Sequence, residues 1–329
     1  MEMNQLSTDT QKSMKTRTIT GLVLLAILLP CVILGDWFYL AAIVFVVGVG
    51  LHEIIKSTGN KYPLIFRLIL YIFTYSFVFW IFFQKGNAVQ LPAYAYDVET
   101  MRFYMYDLRI STMGVGFLLA ILFLFAIIGQ KTDLKDVFYL FTMCLFLGFA
   151  GQSLLFIRFC PEALASDPTL YNRFSTSVLI IFVAAATMLN DICAYFVGVL
   201  FGKHKMAPVI SPKKTWEGFI GGVVLGTLLS TGIALLFDLV FNVPVLDGIL
   251  DAEHWYYIVL MSLCLCLASV LGDLMFSTIK RCYQIKDFGT IFPGHGGVLD
   301  RFDSMLVTAM LSAIVIVFIY YNPLFGVFA

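Results

Sequence analysis

Three carboxylates in the last part of the chain stand beside long apolar runs. Asp273 lies near the end of one run, and Asp300 and Asp303 lie where the next run begins. At helical spacing, Asp273 shares a face with Ser277 and Lys280. A carboxylate in an apolar helix is costly and needs a cation or a metal ion as its partner. Carboxylate oxygens with no His or Cys ligands beside them suit a hard cation. The sequence therefore predicts that Asp273 and Asp300 bind Mg²⁺, and a second cation is possible at this site.

Groups that bind phosphate crowd the same stretch. Its basic side chains suit phosphate oxygens, and they are Lys280, Arg281, Lys286 and Arg301. Gly296 and Gly297 precede a helix start, where backbone N–H groups and the helix dipole favour an anion. Metal, cations and backbone donors are together the parts of a phosphoryl- or nucleotidyl-transfer site. The sequence contains no G-x-x-x-x-G-K-[ST] motif, which disfavours a P-loop ATPase.

Two residues of this stretch have more than one interpretation. His295 is predicted to be a catalytic acid or base or a phosphate donor, and a structural hydrogen bond in the Gly-rich turn explains it equally well. Asp303 is predicted to be catalytic, and a role as a helix N-cap is a close rival.

A second polar segment, from 190 to 218, follows the sixth apolar run. Its candidate substrate-binding residues are Asn190, Asp191, Lys203, Lys213, Lys214 and Thr215. The Asn-Asp pair is costly in an apolar helix, and a helix–helix hydrogen bond is the alternative to a substrate role. The Lys pair suits phosphates or anionic lipid headgroups. Thr215 can instead cap the following helix, with Glu217 near its positive end.

The composition indicates which elements must position these groups. Hydrophobic residues make up 60% of the 329 residues and charged residues 13%, about half the roughly 25% of a soluble domain. This excludes a soluble fold, a disordered chain and a nucleic-acid binder with a basic surface. A membrane-spanning helix needs about 20 apolar residues. Nine runs qualify or nearly do: 18–34, 37–55, 63–83, 111–129, 137–157, 176–199, 218–240, 255–276 and 304–321.

The distribution of basic residues predicts how these spans are oriented. With nine spans, 16 of the 21 Lys and Arg residues fall on one side, which the positive-inside rule assigns to the cytoplasm. The sequence therefore predicts an all-α polytopic membrane protein with a cytoplasmic N-terminus, an external C-terminus and an active site at the cytoplasmic face. Residues 1–175 are expected to form generic transmembrane helices, and residues 176–329 a catalytic region. The tight loops favour a bacterial inner membrane.

The two polar segments carry a specific resemblance. The run from Ser277 to Asp303 reads S-x-I-K-R-x₄-K-D-x-G-x₂-F-P-x-H-G-G-V-x-D-R-F-D. It resembles the signature of the phosphatidate cytidylyltransferases, also called CDP-diacylglycerol synthases. The earlier segment, with N-D, G-K-H-K and S-P-K-K-T-W-E-G, is similar to a second stretch of that family. The resemblance covers about 190–304, while the first 175 residues match only as generic spans.

The resemblance implies a reaction in which CTP and phosphatidate give CDP-diacylglycerol and pyrophosphate, with Mg²⁺. For this reaction we expect Asp273 and Asp300 to hold the metal against the CTP phosphates. The basic residues named above would bind phosphates of CTP or lipid, and Lys213 and Lys214 would neutralise the nucleotide or the departing pyrophosphate. Ser277 and Asp287 join the substrate-binding set as signature residues. A homodimer is expected by family analogy alone, and no nucleic acid partner is expected.

Two other functions stay open at this point. The first is a membrane transporter, although transporters place ionisable groups near the midplane and often show internal repeats. Here the charges gather at one face and the sequence shows no repeat. The second is a related lipid nucleotidyl- or phosphoryl-transferase with another acceptor, such as a CDP-archaeol-type synthase or a lipid kinase, because the motif does not read acyl chains.

Overall fold

The computed structural model describes residues 8–79, 108–129, 133–164, 172–292 and 296–321. Within these ranges the long helices are α1 (Thr8–Leu34), α2 (Asp36–Ser57), α3 (Leu64–Val78), α4 (Leu108–Gly129), α5 (Leu134–Leu164), α6 (Val178–Phe201), α7 (Trp216–Phe241), α8 (Trp255–Cys282) and α9 (Leu299–Tyr321). A short 3₁₀ turn, Ser175–Ser177, leads into α6. Each helix overlaps one of the predicted apolar runs, and the predicted all-α class is confirmed. The number of membrane crossings and the orientation of the termini stay predictions.

The outer surface of this bundle is apolar. Among the described residues, six helices are long and apolar enough to cross a membrane: Asp36–Ser57, Leu134–Glu162, Ser175–Phe201, Trp216–Phe241, Trp255–Cys282 and Leu299–Ile319. Shorter apolar helices span Ile19–Leu34, Leu64–Val78 and Gly114–Ile127. Large side chains such as Leu228, Leu239 and Phe241 are mostly exposed on α7. Because soluble proteins rarely expose such continuous apolar surface, the chain is an integral membrane protein.

The two polar segments differ from their expected form. Helix α8 continues beyond the predicted run 255–276 to Cys282, so that Ser277 and Lys280 lie on it, as the helical spacing from Asp273 predicts. The segment after α6 forms an antiparallel hairpin of β1 (Lys205–Ala207) and β2 (Ser211–Thr215). Both differences arise because hydropathy locates apolar runs, whereas it does not report where polar residues continue a helix or pair as strands.

A row of glycines brings α6 and α7 into backbone contact. Gly218, Gly222 and Gly226 are four residues apart and therefore lie on one face of α7. A Cβ on Gly222 would lie 2.7 Å from the Cβ of Ala194, and one on Gly226 would lie 3.0 Å from the Cα of Asn190. Rows of small residues are typical of membrane helices that pack closely. The hairpin that joins α6 to α7 therefore has a fixed base.

The chain that leaves α8 is fastened to α5. Tyr283 donates a hydrogen bond to Oδ1 of Asp136 (3.3 Å), and Tyr62 donates to Oδ2 (3.3 Å). Lys135 donates to the carbonyl oxygen of Cys282 (3.1 Å), and its Nζ lies 4.3 Å from the centre of the Tyr283 ring. Burial raises the pKa of Tyr283, so the phenol stays protonated and remains a donor. These contacts fix the start of the segment that returns to the motif residues.

Candidate active site

Helices α8 and α9 cross in backbone contact beside the predicted carboxylates. A Cβ on Gly272 would lie 2.9 Å from the Cα of Ser304 and 3.0 Å from the carbonyl oxygen of Asp303. Only a glycine lets the two backbones approach so closely. Asp273 directly follows Gly272 in the chain, and Asp303 directly precedes Ser304. Their carboxylates therefore lie on facing helices at one end of the bundle.

Asp273 is held by its own helix and by the hairpin. The hydroxyl of Ser277 donates to Oδ1 at 3.2 Å, as the spacing of four residues predicts. The ammonium of Lys214 lies 2.6 Å from Oδ2, and the two side chains are only 24% and 32% exposed. A partly shielded ion pair of this kind is stronger than a pair in open solvent. Lys213, the preceding residue on β2, is exposed, because successive side chains of a strand point to opposite faces.

Asp300 has different surroundings from Asp273. Lys280 lies 2.9 Å from its Oδ1, and the backbone N–H groups of Phe288 and Gly297 donate to its Oδ2 at 2.8 and 2.9 Å. The Asp300 side chain is only 2% exposed. It therefore joins α8, the segment after α8 and the first turn of α9. The role of Asp300 as a metal ligand stays a prediction.

An acidic cluster, defined here as Asp191, Asp273 and Asp303, takes one carboxylate from each of α6, α8 and α9. Asp303 lies within electrostatic range of the other two and of Lys280. Asp191 lies within electrostatic range of Asp273 and Lys214. Carboxylates that interact in this way repel one another, and a cation bound among them would reduce the repulsion. The two lysines supply positive charge at its edge, where phosphate oxygens can also bind.

Asn190 makes the helix–helix hydrogen bond that is the alternative to a substrate role, and the substrate role of Asp191 stays a prediction. The buried Asn190 amide donates to Oγ of Ser269 on α8 at 3.3 Å, which is the expected helix–helix hydrogen bond. The Ser269 hydroxyl donates to Oδ1 of Asp191 at 3.4 Å. Asp191 itself is exposed and belongs to the acidic cluster. Asn190 thus orients the neighbouring carboxylate through one shared serine.

The hairpin is fixed at both ends. Thr215 caps α7, since its Oγ1 accepts a hydrogen bond from the backbone N–H of Gly218 at 3.2 Å, so the predicted capping role is confirmed. Arg281 on α8 donates from Nε to the carbonyl oxygen of Ile210 at 3.2 Å. These contacts hold the strand that carries Lys214 against α8.

Glu217 organises the start of the hairpin. Its Oε2 accepts from the backbone N–H of Lys203 at 3.1 Å, and its Oε1 lies 2.6 Å from Nδ1 of His204. The imidazole of His204 therefore has its partner across the hairpin. The Lys203 side chain remains exposed, and its predicted substrate role stays a prediction.

Part of the Gly-rich turn, including His295, lies outside the described residues. Gly296 and Phe292 exchange two backbone hydrogen bonds of 2.9 and 3.1 Å, which closes the turn. Three other predicted residues, Lys286, Asp287 and Arg301, are exposed around this end of the bundle. They stay predicted substrate-binding residues.

Glu53 on α2 is a site residue that the sequence interpretation missed. Its carboxylate accepts hydrogen bonds of 2.9 Å from the backbone N–H groups of Val298 and Leu299, and the residue is 2% exposed. It therefore caps α9 directly before Asp300, where a negative charge also suits the helix dipole. A Cβ on Gly297 would fall on this carboxylate. A signal was present, because Glu53 is a carboxylate within the predicted run 37–55 and needs a partner there.

The donor chemistry of the acidic cluster fits a hard divalent cation. In the part of the chain that the structure describes, no group of three or more His, Cys, Asp or Glu stands close enough to hold a metal ion. Mg²⁺ at nucleotide sites uses one or two carboxylates and takes its other ligands from phosphates and water. The carboxylates of Asp273 and Asp303, on facing helices, match in number and chemistry the protein ligands that Mg²⁺ uses at such sites.

An apolar bundle with carboxylates and lysines gathered at one end defines a membrane-embedded enzyme that handles phosphates. The chain belongs to the cytidylyltransferase family, whose model matches residues 15–319. It is 31% identical over 295 residues to a phosphatidate cytidylyltransferase of Bacillus subtilis (strain 168), covering 89% of this chain and 94% of that protein. It is 29% identical over 308 residues to one of Staphylococcus haemolyticus (92% and 99%). Over 131 residues it is 43% identical to one of Mycobacterium bovis (40% and 39%).

Proposed function

We propose that this chain is a phosphatidate cytidylyltransferase, which transfers CMP from CTP to phosphatidate and releases pyrophosphate in phospholipid synthesis. Relatives that carry this name align with nearly the whole chain. The observation that carries the proposal is the pairing of Lys214 with Asp273 beside Asp303, at the crossing of α8 and α9. This arrangement combines cation-binding oxygens with phosphate-binding ammonium groups in a membrane bundle.

The reaction asks for charge neutralisation and alignment more than for acid–base chemistry. A phosphate oxygen of phosphatidate forms a bond to the α-phosphorus of CTP, and the bond from that phosphorus to the bridging oxygen breaks. Pyrophosphate leaves with that oxygen and its electron pair. The attacking phosphate is already an anion, so no base has to activate it. The enzyme must instead bring two anions together.

Lys214 and Lys280 are the described side chains best placed for this work. Each is an ammonium at the edge of the acidic cluster, and each is only partly exposed. Lys214 would exchange its contact with Asp273 for a phosphate oxygen when the nucleotide arrives. Lys280 would keep its contact with Asp300 and orient the returning segment.

Asp273 and Asp303 would hold Mg²⁺, with Asp191 beside them to accept a second cation. Bound there, the ion supplies positive charge that offsets the triphosphate. Asp300 would serve as a brace, because Lys280 and two backbone N–H groups already engage both of its oxygens. This differs from the pairing of Asp273 with Asp300 that the sequence predicts.

The proposed setting is a bacterial inner membrane, with nine crossings, a cytoplasmic N-terminus and the acidic cluster near the cytoplasmic face. The bias of Lys and Arg supports this orientation, and bacterial relatives support the membrane. At that face, water-soluble CTP and a membrane lipid can meet. A homodimer is part of the proposal by family analogy.

The decisive experiment follows the nucleotide and the lipid together. Purified protein in detergent micelles receives CTP labelled in the cytidine, Mg²⁺ and one lipid acceptor. We expect stoichiometric pyrophosphate and a labelled CDP-lipid with phosphatidate, and neither product with the D273N variant. Equal or greater labelling of an ether-linked archaeal lipid would indicate that this lipid, and not phosphatidate, is the acceptor. Transfer of a single phosphate without the cytidine label would indicate a lipid kinase.

A further inference from the structure

A cavity of about 510 Å³ lies between α1, α2, α6 and the start of α9. Apolar side chains form its long walls, among them Leu24 and Leu28 on α1, Val46 on α2, and Ala184 and Ala185 on α6. Its volume falls within the roughly 300–1,000 Å³ of small-ligand pockets. The two alanines of α6 leave room where larger residues would fill the space.

One end of this cavity is polar. Asp191 and Asp303 of the acidic cluster line it there, together with Arg301 and Thr187. The lining on α6 begins at Ile180 and ends at Asp191, which at 1.5 Å per residue is a length of about 16 Å. The cavity is thus an elongated apolar chamber whose charged end coincides with the candidate active site.

The chamber also reaches the lipid-facing surface. Met188 on α6 lines it and is 54% exposed, and Leu25 on α1 lines it and is 48% exposed. A ligand can therefore enter sideways between α1 and α6, directly from the surrounding lipid. A water-soluble ligand would have no reason to take this route.

The geometry points to this chamber as the binding site for an acyl chain of the phosphatidate acceptor, with the phosphate of that lipid beside Arg301. The inference rests on the proposed function and names a binding site for its lipid substrate. CTP does not suit the walls, because a base and a triphosphate need polar partners that apolar side chains lack. Arg301 lines the polar end of the chamber, and a guanidinium binds a phosphate monoester through parallel hydrogen bonds.

The chamber acts by orientation. An acyl chain gains little free energy when it moves from lipid to apolar protein, since both surroundings are equally apolar. Holding the chain fixes the phosphate at the acidic cluster and lowers the entropic cost of alignment. The volume also limits the chain, because an overfilled apolar site loses affinity.

The first test uses the unaltered protein. Nanodiscs of phosphatidylcholine carry a trace of phosphatidate with a diazirine at one chain end, and illumination is followed by mass spectrometry. We expect cross-links in residues 21–32 and 180–188, severalfold above those on the outer face of α7, and displacement by unlabelled phosphatidate. A phosphatidylcholine probe with the same diazirine chain is the control for a general lipid site.

The second test narrows the chamber. The variant A185F should raise the KM for dioleoyl phosphatidate by about tenfold through overpacking, while the KM for CTP and turnover of dihexanoyl phosphatidate stay unchanged. The matched control V199F lies on the outer face of the same helix, where Val199 is 66% exposed, and should change neither KM. If A185F does not fold, L28F narrows the chamber from α1 with the same expected shift.

The outcomes separate the inference from the proposed function. If the unaltered protein converts CTP and phosphatidate but the probe labels α7 and the chamber equally, the inference is wrong and the proposed function stands. Equal labelling of the chamber by phosphatidylcholine overturns it as well. If no CTP-dependent product forms with phosphatidate, the proposed function is wrong and the inference falls with it.

Discussion

The ammonium of Lys214 lies 2.6 Å from Oδ2 of Asp273 and joins the hairpin to α8. One partner comes from the loop between α6 and α7, and the other from the helix that crosses α9. Because the contact occupies a carboxylate proposed to bind a cation, the lysine must move when the triphosphate and its ion bind. The pair therefore links the hairpin to the carboxylate of the proposed metal site.

Lys214 and Lys213 should differ sharply when each is replaced by alanine. Removing Lys214 leaves Asp273 without its ammonium and takes a phosphate donor from the site, so we expect kcat to fall about 100-fold. Removing the exposed Lys213 should cost less than about fivefold, since water and salt screen its charge. Steady-state kinetics with CTP varied measures both. Equal losses would contradict the different placement of the two side chains.

Asp303 and Asp300 should be separable by their dependence on Mg²⁺. For D303N we expect the half-saturating Mg²⁺ concentration to rise at least about tenfold, because a ligand is lost. For D300N we expect a lower unfolding temperature, since buried donors lose a charged acceptor at about 1–3 kcal/mol, and an unchanged Mg²⁺ midpoint. Turnover titrated with Mg²⁺ and thermal unfolding in detergent measure the two effects. A shifted Mg²⁺ midpoint in D300N would instead support Asp273 and Asp300 as the two metal ligands.

The crossing of α8 and α9 should not tolerate a methyl group. In G272A the new Cβ meets the backbone of α9 at 2.9 Å, so we expect about 1–3 kcal/mol of destabilisation from overpacking and at least tenfold lower kcat as Asp273 moves from Asp303. The matched control is G232A on α7, where the new Cβ would have no described atom within 4 Å apart from its chain neighbours and the nearby backbone of its own helix. That variant should be as active as the parent and as stable or slightly more so, because alanine favours a helix. Similar activity in both variants would show that the close crossing is not needed.

Glu53 should matter to the site although 245 residues separate it from Val298. The variant E53A leaves two buried backbone N–H groups without their acceptor, at about 1–3 kcal/mol each. We therefore expect a lower unfolding temperature and a lower kcat, and a partial effect in E53Q, whose amide oxygen accepts one of the two bonds. H52A, at the exposed neighbour on the same helix, is the control. Full activity in E53A would exclude a positioning role.

Hydropathy predicted the helices of the bundle, and helical spacing predicted one local contact of the candidate site. The apolar runs located every described helix, because lipid requires about 20 apolar residues whatever the neighbours are. The i, i+4 relation of Asp273 and Ser277 is a local property of a helix, and it was found as expected.

Contacts across the fold were beyond prediction from one sequence. Nothing local distinguishes Lys213 from Lys214 until a strand turns one toward α8. Similarly, the spacing of Asp300 and Asp303 does not reveal that one braces a loop while the other faces α8. To predict that Glu53 caps α9, one would have to know that α2 packs against the start of α9. These features depend on tertiary packing, which hydrophobic periodicity does not encode.

The acceptor that Glu53 provides for the start of α9 has a consequence for how the chain can be divided. The motif residues lie after residue 190, yet the amides that begin their last helix are satisfied from the second helix of the chain. A fragment that keeps only the motif half would expose those amides to lipid or leave them buried and unmatched. The early helices are thus more than a hydrophobic anchor, and neither half is an autonomous module.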